Sequence, residues 1–408
     1  MIPFYSDSVF GSISYTKLVE DLNFSKSYNR FINHSSYYEI FRDLLVSLLA
    51  KDDIIIIDGD LSDSEVNALG FTRDDLAEVV KIQSPEVKDE YDLLERIKDS
   101  DGRELTLFTS GTTGKPKKII HSFQSITKAV RVSDKNSADV WGFAYNPTHI
   151  AGIQFFFQAL LNLNHLVRLF MLPKDEILSA IEKHSITNIS ATPTFYRLLL
   201  DGKLNFGSVR RITSGGEKFD ENLRLPLMKM FPNAKILNVY ASTEIGTLFA
   251  AEGDVFTVKD HLKHLVKIVE DELYLSGEMT GKSDDIKLED GWFKTGDKVE
   301  IISTEPIKLR FLGRMNESIN VGGYKVYPTE VEEHINSIPG VRRSLVYGKK
   351  NSVLGNLVMC KIERETDNVT EKIVLDFLQE RLQPYKIPRI ISFVEQIELT
   401  RTGKIARK

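Results

Sequence analysis

Between residues 175 and 240 the chain alternates between helix-spaced and strand-like apolar segments, and this alternation narrows the folds open to it. The stretch from Asp175 to His184 sets Ile177, Ala180, Ile181 and His184 on one helical face. Residues 188–192 then read as a buried strand, 194–201 as a helix stopped by Gly202, 208–213 as a strand, 220–231 as a helix and 235–240 as a strand. Strands separated by single helices are joined by crossovers rather than hairpins. The pattern therefore predicts an α/β fold in which parallel sheets are covered by helices. Residues 38–50, with Ile40, Phe41, Leu44, Leu45 and Leu48 on one face, followed by the buried run Ile54 to Ile57, repeat the theme near the start, where Ser14 to Glu20 reads as a capped helix start.

After Val255 the character changes. Residues 272–275 and 298–302 alternate with period two between turn residues, which predicts a small antiparallel β-rich subdomain. From Tyr327 onward the order is helix 328–337, strand 343–348, strand 357–363, helix 370–382 and strand 390–396, a compact α+β unit. We place the boundary near Gly313 to Asn316, giving a large N-terminal domain over 1–313 and a small mobile C-terminal domain over 314–408 joined by a short hinge. A chain of 408 residues is long enough for two such cores.

Composition removes several function classes. A formal net charge of −5 supplies no basic field to recruit nucleic acid. Cys360 is the only cysteine, so no intrachain disulfide or multi-cysteine metal site can form, which suits a cytoplasmic setting. The first ten residues lack the pattern of a secretory leader. The most apolar stretch, from Ile150 to Leu172, is interrupted by Gln154, Gln158, Asn162, Asn164, His165 and Arg168 and reads as a buried helix and strand rather than a membrane span.

The strongest chemical signal follows the apolar run Leu105 to Phe108. It consists of Thr109, Ser110, Gly111, Thr112, Thr113, Gly114, Lys115, Pro116, Lys117 and Lys118. Glycines let backbone N–H groups converge on an anion, hydroxyls add donors and lysines add charge, so this is a phosphate-binding loop. It is not a Walker loop, which needs four residues between its glycines and a Ser or Thr after the lysine. Here two residues separate Gly111 from Gly114, and Pro116 follows Lys115.

This loop resembles the hallmark of the adenylate-forming superfamily, which includes acyl- and aryl-CoA synthetases, peptide-synthetase adenylation domains and luciferases. The resemblance continues in order along the chain. Tyr240, Ala241, Ser242, Thr243 and Glu244 match its Tyr-Gly-x-Thr-Glu motif, the segment from Asp290 to Asp297 its ribose-binding segment, Leu312 to Arg314 the motif that follows, and Leu399 to Lys404 its C-terminal lysine motif. The resemblance implies that Tyr240 stacks on adenine, Thr243 bonds the α-phosphate, and Asp297 and Arg314 reach the ribose. It further implies that Lys404 drives adenylation and that Glu244 holds Mg²⁺, a task suited to a carboxylate beside phosphate oxygens. The implied nucleotide site also includes Thr109 to Lys115, Gly215, Gly216, Glu217, Ala241 and Ser242. The first hundred residues match less well, because the stretch between their early helix and strand elements is short for the family.

Asn146 to Gly152 corresponds to the segment that faces the acid's carboxylate. Amino-acid-activating relatives carry an Asp there, whereas this chain carries His149, which disfavours an α-amino acid. The resemblance draws the acid pocket from His149, Phe155, Thr192, Gly215, Gly216, Tyr240 and Ala241. Ala241 replaces the usual glycine, so its methyl narrows the tunnel and favours an aryl or slim acyl acid. The implied reaction is ATP-dependent: a small carboxylic acid becomes an acyl-AMP, and its acyl group then passes to the pantetheine thiol of coenzyme A or of an acyl carrier protein. The loop Asn320 to Lys325 approaches that thiol, and Asn316 stands at the hinge where relatives carry Asp or Lys. Two other readings use the same residues: adenylation with a non-thiol acceptor, and a nucleotide-binding relative that has lost activity.

Overall fold

The computed structural model describes residues 2–100, 102–110, 116–200, 204–219, 221–351 and 355–407. The chain forms two compact units. One comprises Met1–Ser190, Ala241–Thr247 and Thr280–Lys287, and the other Ala191–Tyr240, Leu248–Met279 and Leu288–Lys408. The boundary expected near residue 314 thus falls inside the second unit.

The first unit holds strands of two larger sheets, besides the antiparallel pair Ser27–Asn29 and Val79–Lys81. In one, Asn188–Ala191, Val140–Phe143, His165–Arg168 and Pro3–Asp7 run parallel, and Gly11–Ser14 pairs antiparallel with the last of these. The other carries Phe31–Ile32, Ile54–Ile56 and Glu104–Ser110 in parallel, with Pro116–Ser122 returning antiparallel to Glu104–Ser110. The helices Tyr15–Phe24, Tyr37–Leu49 and Ile150–Leu160 contribute apolar faces to a shared core that includes Leu18, Phe41, Leu105, Phe143 and Phe156. Phe41 and Phe156 stack with ring centroids 4.4 Å apart, tying two of these helices together. Ser14 caps its helix as expected, its hydroxyl accepting from the Lys17 amide at 3.1 Å.

In the second unit Arg211–Gly215 pairs in parallel with the strand that begins at Lys235. The first begins three residues later than the sequence suggests. Phe206 to Val209 forms a turn closed by a bond from the Val209 amide to the Phe206 carbonyl, so the apolar side chain of Val209 is buried without being in the strand. The β-rich segment is antiparallel as expected: Val255–Thr257, Ile307–Arg314, Trp292–Thr304, Glu272–Ser276 and Val266–Val269 lie side by side in that order. Beyond it, Val341–Asn351 and Gly355–Arg364 form the long hairpin of a sheet packed by the helices Pro328–Asn336 and Glu371–Gln379. Val331, Ile335, Val346, Ile362, Val374 and Leu378 lie in its own core. Asn316 sits in the short turn Met315–Glu317 between these two sheets. Among the described residues no helix is long and apolar enough to cross a membrane. Cys360 is buried, and burial pushes its thiol well above the usual range.

Candidate active site

The phosphate-loop residues Gly111, Thr112, Thr113, Gly114 and Lys115 lie outside the described residues. The flanking backbone is clear. Thr109 and Ser110 end the strand Glu104–Ser110, and Lys117 opposite Thr109 belongs to the strand that returns. That returning strand is pinned from the other side. Ile120 exchanges backbone hydrogen bonds with Lys282 at 2.9 and 2.8 Å, and the Lys118 amide donates to Asp285 Oδ2 at 3.2 Å.

The same brace reaches Thr243 and Glu244. The Gly281 amide donates to the Glu244 carbonyl at 2.7 Å, and His121 Nε2 lies 2.6 Å from the Thr243 carbonyl oxygen. A carbonyl can only accept, so Nε2 carries the hydrogen. Burial lowers the His121 pKa more than the Thr243 bond and the Glu244 charge raise it, leaving a neutral donor. The sequence gives no sign of His121, because a lone histidine in a strand of mixed lysines and isoleucines carries no pattern. Among the described residues the Glu244 carboxylate has no ion-pair partner, and no cluster of three His, Cys, Asp or Glu side chains could cage a metal. A carboxylate beside phosphate oxygens is a usual way for a protein to hold Mg²⁺.

His149 stands at the N-cap of the helix Ile150–Leu160 without capping it. Its Nε2 lies 3.4 Å from Asp58 Oδ2. Asp58 Oδ1 accepts from Asn146 Nδ2 at 2.8 Å and from the Thr148 hydroxyl. Burial raises the Asp58 carboxyl, but the neighbouring His149, Thr148 and Asn146 outweigh it and hold the pKa at about 2. The tight turn before the helix requires Gly152, where a Cβ would sit 2.2 Å from the Asn146 carbonyl oxygen.

The second unit assembles the remaining residues. Asp297 and Arg314 face each other across paired strands, and Arg314 Nε lies 2.9 Å from Asp297 Oδ1. Tyr240 donates its hydroxyl to Asp297 Oδ2 at 2.6 Å and stacks on Phe311 at a centroid distance of 4.1 Å. Burial, followed by the Asp297 charge, pushes the Tyr240 phenol well above its usual range, so it stays a donor.

Lys404 lies against Gly216. A Cβ at Gly216 would meet Lys404 Cε at 3.2 Å and Nζ at 3.5 Å. The segment that carries Lys404 is fastened on both sides. The Ile405 amide donates to Glu217 Oε1 at 3.3 Å, while Glu217 Oε2 accepts the Thr194 amide at 3.1 Å. Arg407 forks onto Glu332, Nη1 to Oε1 at 2.8 Å and Nη2 to Oε2 at 2.7 Å. Gly215 ends the strand Arg211–Gly215, while Ala241 and Ser242, which belong to the first unit, end the strand Lys235–Ser242. Within each unit, then, residues far apart in the chain converge: Thr243, Glu244 and the phosphate-loop strands in the first, and Gly216, Glu217 and Lys404 in the second.

The strands and helices described above make this an α/β chain with an antiparallel β-rich segment. The chain belongs to the AMP-binding enzyme family, which matches residues 48–275, and the AMP-binding enzyme C-terminal domain matches residues 330–404. It is similar to 4-coumarate–CoA ligase-like 3 of Arabidopsis thaliana, at 26% identity over 77% of this chain and 64% of that protein. It is also similar to 4-hydroxybutyrate–CoA ligase 1 of Metallosphaera sedula, at 29% identity over 74% of this chain and 61% of that protein. The chain therefore spans less than two thirds of the length of these two curated relatives. Its fold matches o-succinylbenzoate CoA synthetase (MenE) from Bacillus subtilis in complex with the acyl-adenylate intermediate OSB-AMP, with a TM-score of 0.71, 19% identity, and coverage of 100% of this chain and 94% of that one.

Proposed function

We propose that the chain is an AMP-forming acid–thiol ligase. In the first step a carboxylate oxygen of the acid attacks the α-phosphorus of ATP and pyrophosphate leaves. In the second a thiolate attacks the acyl carbon and AMP leaves. The observation that carries this reading is the placement of Lys404 against Gly216, with Glu217 holding the adjoining backbone. A cation delivered there suits charge accumulating on phosphoryl oxygens. Tyr240 packs on adenine, Asp297 and Arg314 bind the ribose hydroxyls, Thr243 bonds the α-phosphate, and Glu244 holds Mg²⁺, which neutralises phosphate charge when bound. His149 faces the acid's carboxylate.

Residues 314–408 act as the moving domain, with Asn316 in the hinge turn, in support of which they carry a core of their own. In its second pose the hairpin turn between Ile319–Val321 and Tyr324–Val326 meets the thiol. Coenzyme A is the acceptor we favour, since the similar proteins named above are CoA ligases; a carrier-protein phosphopantetheine is the alternative. An ATP-consuming reaction and a single buried cysteine fit a cytoplasmic setting.

Pyrophosphate release from ATP, measured over a panel of aryl, aliphatic and hydroxylated acids, tests the reading. Acid-dependent release followed by thioester formation with coenzyme A is expected, and no release with any acid overturns it. Two substitutions refine the site. Ala241→Gly widens the tunnel, so the preferred acid in a size series shifts to a bulkier one while KM for ATP stays unchanged. One methyl in such a pocket is worth about 1–3 kcal/mol of specificity. Gly216→Ala forces a side chain into φ +82° and against Lys404. It is expected to lower stability by about 1–2 kcal/mol, read by denaturant titration, and to slow pyrophosphate release by more than that loss explains.

A further inference from the structure

We propose that Asp58 is a positioning residue that fixes the imidazole of His149 in one tautomer and one orientation. The inference rests on the reading of His149 as the group that faces the acid's carboxylate. Asp58 follows the strand Ile54–Ile56, which pairs in parallel with Glu104–Ser110, the strand that leads into the phosphate loop. Its carboxylate is held from one side. Asn146 Nδ2 and the Thr148 hydroxyl both donate to Oδ1, and the Asn146 side chain is itself fixed by accepting the Thr148 amide at 3.0 Å. Oδ2 is thereby aimed at His149, whose Nε2 lies 3.4 Å away.

Among the described residues that nitrogen is buried and has no hydrogen-bond partner. A buried polar atom left so costs about 1–3 kcal/mol, so the arrangement needs a purpose or a partner. A histidine at an N-cap usually serves the helix, but here the side chain makes no cap bond. A carboxylate only accepts, so the ring nitrogen facing Asp58 carries the hydrogen and Nδ1 is left to address the substrate. Polar contacts of catalytic groups are often long before substrate binds and tighten in the complex, which fits a separation of 3.4 Å. The dipeptide Asp58-Gly59 after an apolar strand reads as an ordinary turn in the sequence, so nothing in the motif itself signals the pairing.

Asp58→Asn tests the proposal. The amide keeps the size of the side chain and an acceptor for Asn146 and Thr148, but presents a donor to His149 and selects the opposite tautomer. The kcat of acid-dependent pyrophosphate release is expected to fall by about 10–100-fold, as for lost orienting partners elsewhere, with KM for ATP unchanged. In the His149→Ala background the same substitution is expected to change the rate by less than about twofold, because nothing remains to position. An equal loss from Asp58→Asn in both backgrounds makes Asp58 a structural brace and overturns the proposal, as does an unchanged rate in the single variant. Should Asp58→Asn fail to fold, the wild-type protein decides. Nitrogen NMR of ring-labelled histidine at alkaline pH is expected to show neutral His149 protonated on Nε2, and protonation on Nδ1 overturns the inference. This readout needs no turnover, so it stands apart from the outcome of the acid panel.

Discussion

Lys404→Ala is expected to slow acyl-adenylate formation by about 10²–10³-fold while leaving thioester formation from synthetic acyl-AMP near the wild-type rate. The magnitude is that of removing one preorganised donor from developing negative charge, about 2.7–4 kcal/mol. Selectivity is the point of the measurement. Lys404 lies on the C-terminal tail, held at Gly216 by the Ile405–Glu217 bond and the Arg407–Glu332 fork. If residues 314–408 swing between the half-reactions, the ammonium is needed for the first and withdrawn for the second. Pyrophosphate release and single-turnover conversion of acyl-AMP, measured on one preparation, separate the steps. Equal loss in both would mean that the substitution disturbs the tail as a whole. A change below twofold in both would make Lys404 a surface charge beside Arg401 and Arg407.

Glu244→Gln is the second large effect. The substitution keeps the volume and the backbone anchors, namely Gly281 to the Glu244 carbonyl and His121 to the Thr243 carbonyl, so the fold is expected to survive. What disappears is the negative charge of a carboxylate with no ion-pair partner among the described residues. An amide is a poor ligand for a hard cation that prefers anionic oxygen. Half-maximal pyrophosphate release is therefore expected to need at least about tenfold more Mg²⁺, with a lower rate even at saturation. An unchanged Mg²⁺ titration would remove the metal role from Glu244. Thermal unfolding within a degree or two of wild type would confirm that the change lies in the site.

The contrast between these two residues shows what a reader of the chain can know in advance. Glu244 lies in a five-residue motif, and the Mg²⁺ role proposed for it comes from the resemblance of that motif to the family's, since the string taken alone suits an ordinary strand end. Lys404 lies in an equally short motif, but its position against Gly216 depends on the fold of the whole second unit. Its neighbour Ile405 bonds Glu217 across 188 residues of chain. His121 and Asp58 were missed for a related reason. One is a lone histidine in a strand and the other an aspartate in a turn, and each acquires meaning only from a partner brought to it, Thr243 and His149 respectively.

Helix and strand periodicity, the capping serine and the order of motifs follow from residues adjacent in the chain, because backbone propensity acts over a few residues. Strand beginnings are less legible: Val209 is apolar, yet it is buried from a turn rather than from the strand that begins at Arg211. Side-chain pairs such as Asp297 with Arg314, Tyr240 with Phe311 and Asp58 with His149 come from register and crossover geometry. A one-residue slip in register turns a side chain to the opposite face of its sheet. Local sequence therefore names the candidate groups, and the packing of distant strands determines which of them meet.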